Sequence, residues 1–122
     1  MEMQTGQLEK LEVNILTQEI QDDWINFVVS DINDHVVRLS VLQRDFHWHL
    51  HSNSDELFYV VKGELFVDLE DSTEVIAPGQ MITIPKNVLH RTRSNQRTVL
   101  LCFESKNNDV VGNTCNFRLT QQ

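Results

Sequence analysis

The chain has 122 residues, 40% of them hydrophobic and 23% charged, with a formal net charge of −8. That is the composition of one ordinary soluble domain, long enough to bury a core without disulfides. The acidity leaves no basic stripe for phosphates, which argues against nucleic acid as a partner, and no apolar run of about eighteen residues exists to cross a membrane as a helix.

Residues 1–23, rich in Gln, Glu and Asp, are expected to form an N-terminal arm. Leu8, Leu11, Ile15 and Leu16 recur at roughly helical spacing, while Val13-Asn14-Ile15-Leu16 reads equally as a short strand. The arm is expected to pack across the main domain or across a partner subunit. Met1 to Lys10 is polar and lacks an apolar signal core. Cys102 and Cys115 match no metal spacing, and a buried, reduced Cys102 predicts a cytoplasmic address.

Trp24 to Val29 is the first predicted strand, closed by the polar turn cluster Ser30 to Asp34. His35 to Gln43 is the second. Its Val37, Leu39 and Val41 make one fully apolar face, expected to look inward, and Val36, Arg38 and Ser40 make a mixed face. His35 starts beside a turn and is expected at the surface. Phe46 to His51 follows, then Glu56 to Val61, with Glu56, Phe58 and Val60 on one face and Leu57, Tyr59 and Val61 on the other. Lys62-Gly63-Glu64 reads as a tight turn with Gly63 free to take a positive φ. Leu65 to Leu69, Glu74 to Ala77, Met81 to Ile84, Val88 to Arg93 and Arg97 to Glu104 complete the set. Short strands punctuated by Gly, Pro and Asn turns predict an all-β barrel or jelly roll over residues 24–104. Residues 105–122 form a polar tail, expected to fold over the barrel mouth or remain mobile.

Chemistry concentrates between Trp48 and Gly63. His49 and His51 are two apart, so an extended backbone points both imidazoles to one face. Turn residues Ser52 to Asp55 come next, and if the two flanking strands pair, Glu56 is brought alongside the histidines. Two nitrogens and a carboxylate oxygen facing inward read first as a metal site. His90, beyond Gly79 and Pro85, is a fourth candidate ligand. His47 shares the parity of His49 and His51, so His47 with His49 is an alternative pair. Otherwise His47 sits at the pocket rim, as a proton shuttle or as a residue of no consequence.

The frame from His49 to Gly63 resembles the first motif of the cupin superfamily, G-x5-H-x-H-x3,4-E-x6-G, with Gln43 in the opening Gly slot. Gly79, Pro85 and His90 resemble the second, G-x5-P-x-G-x2-H-x3-N. There Asn87 replaces the inner Gly and Asn95 arrives one residue late. Asn tolerates a left-handed backbone, which makes the Asn87 replacement mild. The resemblance spans about residues 35–104 and implies a small single-domain cupin, a double-stranded β-helix. It supports His49, His51, Glu56 and His90 as ligands over the alternative pair, and it implies a homodimer.

Four such donors suit a divalent transition metal, and Fe, Mn, Ni, Co, Cu and Zn all accept them. An octahedral ion would keep about two positions for water, substrate or dioxygen. Phe58, Val60, Thr92 and the apolar face of the 35–43 strand predict a mostly hydrophobic pocket for a small-molecule ligand, partly aromatic or cyclic. Arg38, Arg44, Arg91 and Arg93 are the cations available to an anion. Arg91 and Arg93, of opposite parity to His90, are expected outside as solvated charges. No acid or base stands out beyond the ligands. Two readings remain: a mononuclear metal-dependent enzyme of oxygenase or isomerase/lyase type, or a non-catalytic metal-containing protein that binds a small molecule.

Overall fold

The computed structural model describes residues 8–108. Eight strands follow one short helix: α1 Val13–Thr17, β1 Trp24–Ile32, β2 His35–Leu42, β3 Glu56–Lys62, β4 Leu65–Asp68, β5 Thr73–Ile76, β6 Met81–Ile84, β7 Arg91–Arg93 and β8 Thr98–Ser105. They form a five-stranded sheet in the order β1-β2-β8-β3-β6 and a three-stranded sheet in the order β5-β4-β7. All the pairings are antiparallel. This is the all-β jelly roll expected from the strand spacing.

Positions of positive φ fall where the chain reverses. β1 runs further than predicted, through a register shift between Val28 and Ser30, and turns only at Asn33, whose φ is +56°. Gly63 (φ +93°) turns β3 into β4, Gly79 (φ +87°) precedes β6, and Asn87 (φ +69°) takes the left-handed backbone expected of it.

The five-stranded sheet is apolar on both faces. Leu42, Phe58, Val60, Leu65, Val67, Ile76, Ile84, Leu100 and Cys102 fill the space between the sheets. Val29, Val37, Leu39, Val41 and Val99 cluster on the outer face, where Leu11, Val13, Leu16 and Ile20 of the arm pack on them. The arm thus lies across the barrel's own flank. Helix α1 has no side-chain cap, and five residues are too few to be stable alone, so packing must hold it. Arg97 Nη2 helps by donating to the carbonyls of Thr17 and Ile20.

The position of this arm corrects one expectation. The fully apolar face of β2, Val37, Leu39 and Val41, looks outward beneath the arm. The mixed face, with Arg38, Ser40 and Leu42, looks into the barrel. Of the tail, Asn108 is buried, and residues 109–122, with Cys115, lie outside the described residues.

Candidate metal centre

The stretch 44–51 is not a ladder strand of its own, and it does not pair with β3 as expected. It runs antiparallel to 87–94 instead. Phe46 N–H donates to Thr92 O at 2.8 Å, and Asn87 N–H donates to His51 O at 2.7 Å. His49 and His90 exchange two backbone hydrogen bonds, each 2.9 Å. Ser52 to Asp55 then carries the chain across to the other sheet, where Glu56 opens β3. The carboxylate therefore meets the histidines from across the barrel, not from a hairpin partner.

One donor atom from each of His49, His51, Glu56 and His90 lies within 4.8 Å of the others, and all four residues are buried. His51 Nε2 and His90 Nε2 stand 3.3 and 3.6 Å from Glu56 Oε1. His49 Nδ1–H donates to His47 O at 2.7 Å and His90 Nδ1–H to Val88 O at 2.9 Å. Those bonds fix the tautomers and leave both Nε2 lone pairs for the centre. Burial, reinforced by the neighbouring His90, pushes the His49 pKa down to about 3, so the ring is neutral at neutral pH. Among the described residues, His90 Nε2 and Glu56 Oε1 are buried with no hydrogen-bond partner. A carboxylate oxygen and an imidazole lone pair left so, facing each other, are costly unless a cation satisfies both. This donor set suits a divalent metal.

The other predicted pocket residues divide. Phe58 and Thr92 line a cavity of about 40 Å³ with His49 and Glu56. Val60 is fully buried core and is absent from that lining. His47 is half-buried, beside Phe46 and His49, with ring centroids 4.2 and 5.2 Å away. It is not part of the ligand cluster.

The cavity is more polar than the sequence led us to expect, because the mixed face of β2 lines it with Asn26, Arg38 and Ser40. Cys102 and Glu104 of β8 join them and were missed. Cys102 Sγ donates to Glu56 Oε2 at 3.3 Å and lies 3.7 Å from Glu104 Oε1. Arg38 Nε donates to Glu104 Oε2 at 2.8 Å and Asn108 Nδ2 donates to Glu104 Oε1 at 3.0 Å. Burial, with the carboxylates of Glu56 and Glu104 beside it, pushes the Cys102 thiol well up, so it stays protonated and donates. Burial and the nearby Glu56 raise Glu104 in turn, against Asn108 and Arg38. The only available signal was parity: Cys102 and Glu104 alternate with the outward-facing Leu101 and Phe103.

The Cupin domain family pattern matches residues 35–104, more than half of the chain. The chain belongs to the cupin family. The uncharacterised protein YdbB of Bacillus subtilis is 44% identical over 97 residues, covering 79% of this cupin and 86% of YdbB. A cupin-2 domain protein from Shewanella frigidimarina superposes with a TM-score of 0.75 at 26% identity, over 79% of this chain and 94% of that one. NMB1881 from Neisseria meningitidis gives 0.71 at 27% identity, over 80% and 100%.

On the outside of this cupin, Arg91 and Arg93 do face away from the cavity, but they are not merely solvated. Both donate to Asp68, Arg91 from Nε and Nη2 at 3.0 and 2.9 Å, Arg93 from Nε and Nη2 at 2.7 and 3.1 Å. Their guanidinium groups also cover Trp48 and Phe66. The cluster braces β4 against β7, and so steadies the stretch that carries His90. His35 is exposed and bonded to Asp34.

Proposed function

We propose that His49, His51, Glu56 and His90 hold one divalent transition metal ion and that this cupin is a mononuclear metal-dependent enzyme acting on a small molecule, of oxygenase or isomerase/lyase type. The observation that carries it is the facing pair of buried polar atoms without partners, Glu56 Oε1 and His90 Nε2, inside a cluster of three buried imidazoles. When bound, such an ion supplies Lewis acidity, or a place for dioxygen beside a chelating ligand if it is iron. The chain does the positioning. Backbone carbonyls of His47 and Val88 orient two rings, and the Cys102 thiol engages Glu56 Oε2, leaving Oε1 turned to the histidines. Trp24, Leu42, Phe46, Phe58 and Leu100 make the apolar part of the cavity wall and limit water.

A cavity of about 40 Å³ is far below the several hundred cubic ångströms of drug-sized ligand sites. The substrate is therefore small, or its bulk stays at the mouth. That size also favours a second reading, a non-catalytic metal-containing binding protein. On family resemblance we extend the proposal to a homodimer; Met81 and Phe103, 59% and 37% exposed on the outer face of the five-stranded sheet, support it. Sedimentation would show a mass twice that of the chain, and a monomer would count against it.

The test is elemental analysis of tag-free protein, followed by oxygen uptake and product analysis across small hydroxy and oxo compounds. About one ion per chain with substrate-dependent turnover supports the enzyme. One ion with no turnover selects the binding protein, and no ion after anaerobic reconstitution overturns both.

A further inference from the structure

One wall of the cavity has used its strong acceptors internally and kept its donors. Asn26 Oδ1 accepts from Arg38 Nη1 at 3.3 Å. Both oxygens of Glu104 are engaged, one by Arg38 Nε and the other by Asn108. An arginine carries five N–H groups, and these two bonds use two of them. Ser40 Oγ accepts from Asn26 Nδ2 at 2.6 Å, which leaves its own proton to donate. Arg38 and Ser40 line the cavity together with His49, Glu56 and Thr92. The Arg38 side chain is only 16% exposed, so a guest meets its guanidinium largely away from bulk water, where charge-assisted hydrogen bonds are strong.

A surface of spare N–H and O–H donors beside a guanidinium suits an oxyanion, and a planar guanidinium suits a carboxylate best. We propose that Arg38, with Ser40, forms an anion subsite that holds the carboxylate of a small substrate, whose second oxygen reaches the cluster of His49, His51, Glu56 and His90. The substrate class is then a short hydroxy- or oxo-carboxylate. Arg38 sets specificity, and Glu104 is a positioning residue that keeps the guanidinium in the lumen. The inference deepens the reading above and rests on it only for the second point of attachment.

The test uses glycolate and its uncharged analogue glycolamide, titrated calorimetrically into the purified protein with and without metal. Wild-type protein is expected to bind glycolate at least tenfold more tightly than glycolamide in both forms. Removing Arg38 alone strands Glu104, so the informative variant is the double substitution Arg38→Met with Glu104→Gln. It should lose at least tenfold in glycolate affinity and leave glycolamide unchanged. Glu104→Gln alone, which keeps one acceptor oxygen for Arg38 Nε, should hold the guanidinium in place and leave glycolate affinity within about threefold of wild type. Equal binding of the two probes, no binding of glycolate, or glycolate affinity undiminished in the double variant overturns the subsite. Weaker glycolate binding in both variants, single and double, assigns Glu104 and Arg38 a structural role and also overturns it. If no metal binds but metal-free protein still discriminates the probes, the metal reading fails and the anion subsite stands.

Discussion

His49 and His90 sit directly opposite each other, each backbone N–H donating to the other's carbonyl at 2.9 Å. Forty-one positions of sequence separate them, yet their rings lie 4.4 Å apart between centroids. The backbone pairing fixes the positions of two of the four clustered donors, so an ion held as proposed would find a prepared site. Losing any one donor should therefore cost affinity without cost to the fold. His49→Ala, Glu56→Ala and His90→Ala should each lower metal occupancy at least tenfold, measured by elemental mass spectrometry after dialysis. His47→Ala should stay near wild type, since the hydrogen bond that orients His49 goes to the His47 carbonyl, which alanine retains. Equal loss in all four variants would mean that His47 belongs to the ligand set. Removal of the ion by a chelator should lower Tm, because a ligand bound only to the folded state stabilises it by mass action.

Gly63 admits no side chain. A Cβ there would sit 2.5 Å from Thr98 Oγ1, 2.6 Å from Arg97 O and 2.7 Å from Thr98 Cα, on a backbone at φ +93°. Two of those atoms are backbone and cannot rotate away. Gly63→Ala should cost about 3 kcal/mol and roughly 10 °C in Tm. Gly79→Ala, with a similar φ of +87° and open space around it, should cost only about 1 kcal/mol. Chemical denaturation of the pair separates steric exclusion from backbone strain.

Asp68 gives a pH signature. Hydrogen bonds from Arg93 outweigh burial, with Thr73 and Arg91 adding to them, and together they hold its carboxyl well below the usual carboxylate range. The unfolded chain takes up this proton near pH 3.9, the folded one only at lower pH. The pair's stabilisation is therefore complete above about pH 5 and is lost as pH falls through about 4 toward the folded value. Asp68→Asn should cost about 2 kcal/mol at pH 7 and flatten the fall in Tm between pH 5 and 3. An unchanged pH profile would show the ion pairs to be energetically silent.

Cys102 should be inert. It is 1% exposed, and its thiol is held protonated by burial and by two neighbouring carboxylates. In a Cys115→Ser background, Ellman's reagent should find no thiol in native protein and one per chain in denaturant. Rapid native labelling would mean that the barrel opens easily around β8.

The strands and three of the four clustered residues were legible because they are local: period-two alternation, turn residues, and a motif whose spacing survives in one dimension. His90 was legible through its own short frame after Gly79. The partner of 44–51 was not. A short polar connection to Glu56 looks the same whether the chain folds back as a hairpin or crosses to the opposite sheet. Nor was the inward face of β2. Val37, Leu39 and Val41 make the more apolar side, and inward burial is the usual inference. The arm supplies a second apolar layer and reverses it. Arg38 and Glu104 stand 66 residues apart in sequence, so nothing local announces that one anchors the other inside the lumen.

Strand β8 lies between β2 and β3, although among the described strands it is the last in the chain. During synthesis β2 and β3 emerge with no neighbour on the edges that β8 will occupy. Until residues 98–105 leave the ribosome, both present unpaired backbone and apolar side chains. Assembly of the five-stranded sheet must then await residues 98–105, and its non-local pairing sets a folding time of milliseconds or longer. A chain truncated before Thr98 would be a ready substrate for chaperones or for aggregation. An ion held as proposed would come late too, after β8 had closed the chamber around the cluster.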